Sequence, residues 1–202
     1  MKTEKRSLSQ ILIGGYSSYI FTLTPIILIC TFLFLFSLLI GFYLGPSQSG
    51  DSLRQIIQGF PDTSNMSDIQ VFGFIFYNNV SKSFLFMVLG LLFALPPVIF
   101  LAFNGFVVGW FAFIFSRQYS LLATFIGIVP HGIIEIPAII LSMAMGMSLG
   151  YQLINKIRGR GVLSLDAKLA LGFFITRIVP MLLIAALIEV KVSPALLALV
   201  IS

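Results

Sequence analysis

Apolar residues run in long blocks along the chain, and polar residues gather in the short gaps between them. Tyr19 to Leu44 carries no charged residue and is long enough for one bilayer crossing, which takes about 20 apolar residues. Gly45-Pro46 then supplies a breaker pair. Ser83 to Phe115 is also uncharged, too long for one span and short for two. Pro96-Pro97 and Asn104-Gly105 interrupt it, which predicts spans over about 83–103 and 105–118. Tyr119 to Ile154 is again overlong, and Pro130-His131-Gly132 breaks it. The main fourth span is expected at 132–154, after a shorter helix. A fifth is expected at 169–188, and Pro194 starts an apolar piece too short to cross.

The pattern between 46 and 82 differs. Leu53, Ile56, Ile57 and Phe60 fall at helical spacing, and Pro61-Asp62 stops that run. Ser67-Asp68-Ile69-Gln70 matches a capping box, so a second short helix is expected from about Asp68. Both are amphipathic and suit the bilayer surface. Ser7 to Ser18 is mildly amphipathic as well and is expected to lie at the inner interface. The fold class is therefore all-α. It is a polytopic transmembrane helix bundle with about five spans, broken or kinked helices and short interfacial amphipathic helices. The expected organisation is one transmembrane domain over 1–202. It comprises the 19–44 span, an external 46–82 segment and an 83–202 core bundle.

Composition agrees: 58% of residues are hydrophobic, 9% are charged, and the mean hydropathy is +1.07. Soluble domains carry about 25% charged residues, so lipid must solvate much of this chain. The net charge of +5 does not indicate nucleic-acid binding, because the basic residues sit in short loops between apolar runs. Lys2, Lys5 and Arg6 lie at the N-terminus, and Lys156, Arg158, Arg160 and Lys168 lie in the 155–168 loop. With five spans, both segments fall on the cytoplasmic side of the cell membrane. The 46–82 segment and the C-terminus then fall outside. The basic start resembles a signal peptide, but the following apolar stretch is too long for one and reads as a retained span. Cys30 is the one cysteine and is expected to be inert filler facing lipid.

Few residues in the apolar runs bring chemistry. His131 and Glu135 stand four apart and share a helix face. Ala138, Ser142, Gly146 and Gly150 continue that face as a small-residue stripe suited to close helix packing. Gly105 and Gly109 form a second small-residue pair. Arg177 lies inside the fifth span and is expected to attract Glu135 directly or through water; snorkelling to the inner interface is the alternative. Asn78, Asn79 and Asn104 stand near expected helix ends and suit backbone capping. His131 and Glu135 alone are too few ligands for a metal site, and no nucleophile triad or phosphate loop is present, so no cofactor or catalysis is expected. The open functional alternatives are a non-enzymatic subunit, a permease with His131, Glu135 and Arg177 lining a polar site, and, last, an intramembrane hydrolase.

The stretch Pro130-His131-Gly132-Ile133-Ile134-Glu135-Ile136-Pro137-Ala138 resembles the signature of the stage II sporulation protein M family. Asn78-Asn79, Asn104-Gly105 with Gly109, and Ala185-Ala186-Leu187-Ile188-Glu189 followed by Pro194 fit the same pattern in the same order. The resemblance covers the chain from about residue 70 onward. It implies a multi-span membrane protein that works with other membrane proteins, or copies of itself, in a complex that remodels the cell envelope. It also implies that His131, Gly132, Glu135 and Glu189 belong to the family's signature positions.

Overall fold

The computed structural model describes residues 8–44, 65–159 and 163–201. The helix expected over Asp51–Phe60 lies outside the described residues. The rest is helical: α1 (Leu8–Leu44), α2 (Asp68–Leu89), α3 (Leu95–Gln118), α4 (Leu121–Ile157), and a last long helix. That last helix comprises α5 (Leu163–Phe173), a π-helical turn (Phe174–Ile178) and α6 (Val179–Ile201). Five helical stretches are long and apolar enough to cross a membrane: Gly15–Leu44, Asp68–Leu89, Leu95–Gln118, Leu121–Ile157 and Leu163–Val200.

Span boundaries differ from those the sequence predicts, each for a local reason. The segment before the first span is not a separate helix, because α1 runs unbroken from Leu8 through Pro25. The capping box does open α2: the Ser67 N–H donates to Gln70 Oε1 at 2.8 Å. That helix then continues to Leu89 instead of stopping short as a surface element. Its polar Asn79 finds a partner inside the bundle, so no break is needed there.

The break in 83–115 falls at 90–94. Pro96 and Pro97 occupy the first turn of α3, where their missing N–H groups cost nothing. The chain reaches them through Phe93 and Ala94 in left-handed conformations, at φ 55° and 63°. Each costs on the order of 1 kcal/mol outside glycine. Asn104 does not end a helix, because its Nδ2 donates back to the Phe100 carbonyl at 2.8 Å within α3. Pro130 and Pro137 both lie inside α4, which continues unbroken through the expected break at His131. Pro194 likewise lies within α6.

Glycine sets the helix seams. Along α1 and α3, Gly41 faces the Phe106 carbonyl, and Gly109 faces the Leu38 carbonyl. A Cβ at Gly105 would come within 3.1 Å of the Ser37 Cβ. The stripe Ala138, Ser142, Gly146 and Gly150 is buried throughout. Its Gly146 abuts the Met87 backbone, and Gly150 abuts Gly90 and Ala94. The strained 90–94 turn is thus wedged against α4.

Two apolar clusters fill the bundle. Leu23, Met87, Ala138, Met145, Phe174 and Leu182 belong to one. Cys30, Phe34, Leu101 and Met143 belong to the other. Cys30 is therefore not lipid-facing: it is fully buried, with its Sγ 3.4 Å from Met147 Sδ. Among the described residues, the ion pair that forms is Lys191–Asp68 at 2.5 Å, with both side chains about two-thirds exposed. Such a pair contributes little. Lys191→Ala is expected to change stability by no more than about 0.5 kcal/mol, and high salt should erase the difference in detergent melts.

Candidate functional site

The last two helices place two side-chain pairs opposite each other. On α4, His131 and Glu135 stand one turn apart. On α6, Glu189 and Ser193 stand one turn apart. The pairs meet in opposite order along the two helices, which therefore run antiparallel with the pairs as two rungs. In one rung, His131 Nδ1 lies 3.2 Å from Ser193 Oγ. In the other, Glu135 faces Glu189; ligand atoms of His131, Glu135 and Glu189 all lie within 4.8 Å of one another. Beyond the polar rungs, Ala138 and Leu182 close the bundle in an apolar cluster.

A third helix adds an amide. Asn79 of α2 donates through Nδ2 to Glu135 Oε1 at 2.9 Å. Asn78 Nδ2 in turn contacts Asn79 Oδ1 at 3.4 Å. Helices α2, α4 and α6 therefore converge on one constellation: half-buried Asn79, His131, Glu135 and Glu189, and buried Ser193. Two carboxylates so close, when both are ionised, repel by on the order of 3 kcal/mol at an effective dielectric of about 20. Within a membrane that is costly unless something positive sits between them.

Arg177 is not that partner. It lies twelve positions before Glu189, about 18 Å along the helix axis at about 1.5 Å per residue. The π turn brings Ile175, Thr176 and Arg177 to the surface in succession, while Phe174 and Ile178 on either side are buried. The expected Glu135–Arg177 attraction is thus replaced by Asn79 and Glu189 on one side and an exposed arginine on the other. Snorkelling to the inner interface would have to bridge the nine residues, about 13 Å, back to Lys168.

Gly132 stands on the other side of α4 from the polar rungs. It lines an apolar cavity of about 510 Å³ between α1, α3 and α4, with Phe42, Val108, Ile128 and Pro137. Asn104 is engaged within its own helix and does not reach the cluster. Ser193 is the member the sequence reading missed; its signal was the Glu189–Ser193 spacing, which mirrors His131–Glu135.

A family model described as Stage II sporulation protein M matches residues 30–194. The chain matches no curated protein and no solved structure.

Proposed function

The chain belongs to the stage II sporulation protein M family, and from that premise we propose that it is a non-enzymatic subunit of a cell-membrane complex, holding a second membrane protein against its last helix. The observation that carries this reading is Arg177. An ionisable side chain in the apolar part of a span faces protein or water in nearly all membrane proteins. Here it faces outward, on a π turn, a device frequent at functional sites. The partner's matching chemistry is an acidic side chain within its own span.

A second copy does not fit that requirement. Among the described residues, Asp68 pairs with Lys191, and Glu135 and Glu189 face each other. Asp166 stands near the start of the last helix, about 16 Å of helix away from Arg177. The partner is therefore a different protein. The orientation that goes with this reading keeps the N-terminus and the 155–168 loop cytoplasmic, on the strength of their Lys and Arg content. With Asp68–Leu89 as the second crossing, the part of the 46–82 segment left outside is 46–67, together with the C-terminus.

A photo-crosslinking residue at Ile184, two turns along the same exposed face, tests the reading in native membranes. It should capture a different membrane protein, and Arg177→Leu should remove the adduct while leaving the melting temperature unchanged. Capture of only lipid, or of this chain alone, would refute it. A permease reading finds less support. It requires a wet cavity at Glu135, whereas the 510 Å³ cavity opens on the other side of α4 with apolar walls.

A further inference from the structure

We infer that His131, Glu135 and Glu189 bind a divalent transition-metal ion, of the Zn²⁺ class, between α4 and α6.

Three observations converge on this site. The donor set is one imidazole and two carboxylates, all within 4.8 Å of one another. Imidazole selects Zn²⁺ and its neighbours over Mg²⁺ or Ca²⁺, and carboxylates complete such sites. Ligands about 2.1 Å from a tetrahedral metal stand about 3.4 Å apart. The donors need to close by little more than an ångström, which glutamate rotamers on facing helices allow.

The outer partners are already in place. The Ser193 hydroxyl engages His131 Nδ1, which leaves Nε2 free to bind metal. Asn79 engages one oxygen of Glu135, which leaves the other available. Metal-binding histidines and carboxylates are fixed in this way by second hydrogen bonds that set their orientation.

Charge supplies the third observation. Two acids face each other between membrane-spanning helices, and among the described residues no lysine or arginine pairs with them. Lys191, the nearest base in sequence, is turned to Asp68. Arg177 points out of the bundle on another level of the helix. A divalent cation would neutralise both carboxylates at once. Bridging α4 to α6, it would also pin the end of the last helix to the family's signature segment. The three donors leave a further position on the ion for water or a partner's ligand, as in sites that do not close on four protein ligands.

The full chain is purified in detergent, stripped with chelator and titrated with Zn²⁺ by calorimetry. One Zn²⁺ per chain is expected, with a rise in melting temperature on saturation. Co²⁺ should add the visible absorption of a tetrahedral nitrogen–oxygen site. Glu189→Gln and His131→Gln should each weaken Zn²⁺ at least tenfold, while Asp166→Asn, which removes a carboxylate near the other end of the last helix, should leave binding unchanged. Circular dichroism identifies any variant that fails to fold. In that case the wild-type stoichiometry and melting shift decide alone. No saturable Zn²⁺ binding by the wild type, or binding that a folded Glu189→Gln variant retains in full, would overturn the assignment.

Discussion

Alanine at Gly109 is expected to destabilise the protein by about 3 kcal/mol, whereas alanine at Gly73 should cost nothing. Both substitutions add one methyl to a helix. What differs is the space each would enter. A Cβ at Gly109 would overlap the backbone carbonyl of Leu38 on α1, and no rotamer change can move a backbone atom aside. The two helices must separate, and the contacts of Gly41 with Phe106 and of Gly105 with Phe34 loosen with them. Overpacking in a tight interior costs about 1–3 kcal/mol; the upper end applies because the obstacle is main chain. Gly73 has nothing within 4 Å of its would-be Cβ, and alanine is the better helix former by about 0.8–1.0 kcal/mol. Thermal melts in detergent, followed by circular dichroism, read both variants. Combining Gly41→Ala with Gly109→Ala should cost less than the sum of the two, because one change already parts the shared seam. Equal melting temperatures for Gly109→Ala and Gly73→Ala would show that α1 and α3 do not meet through glycine.

The bilayer itself made the architecture legible. Uncharged runs leave no other solvent for the chain, and helices are one of the two backbone arrangements that satisfy all their hydrogen bonds there. Five helices of spanning length follow from that. Boundaries were less legible, because the same residue both ends and begins helices. A proline pair forbids a helix before it and suits the first turn after it, so Pro96-Pro97 marks a start where an interruption was expected. Pro130 loses one backbone bond, and the long packed face of α4 outweighs that loss. The short helix expected from Asp68 runs on to Leu89 for a related reason. Asn78 and Asn79 suit the capping of a helix end in one dimension, yet Asn79 turns to an acid on another helix.

The candidate site divides along the same line. His131 and Glu135 were readable as a shared face, since four residues make roughly one turn. That Glu189 would face Glu135, and that Arg177 would not, depends on two quantities that spacing within a helix does not contain. One is the register of α6 against α4. The other is the extra residue of the π turn, which rotates the helix after it and carries Arg177 to the surface. Attraction between opposite charges gave a sensible partner for Glu135, but the helix register placed a second acid there instead.

Phe32 and Phe34 extend this point to stability, and they should separate sharply on truncation. They lie two residues apart in the most apolar helix, and no hydropathy pattern distinguishes them. Phe32 is 70% exposed and Phe34 is 1% exposed. In water both changes would lose apolar burial in different amounts. In lipid the exposed ring merely exchanges ring contacts for acyl-chain contacts, because tails are as apolar as the side chain. Phe32→Ala should therefore leave the melting temperature nearly unchanged. Phe34→Ala opens a void among Cys30, Leu101, Ile140 and Met143, on the seam that Gly105 closes. Water-soluble cores lose about 3–5 kcal/mol for such a truncation. Lipid removes much of the transfer contribution and leaves the cavity contribution, so a loss of about 2 kcal/mol is expected. Melts of both variants in one detergent measure the contrast directly. Similar costs at both positions would mean that α1 is not packed with its Cys30–Phe34 face inward. The glycine seam with α3, and the bundle that positions His131 opposite Ser193, would then need another arrangement.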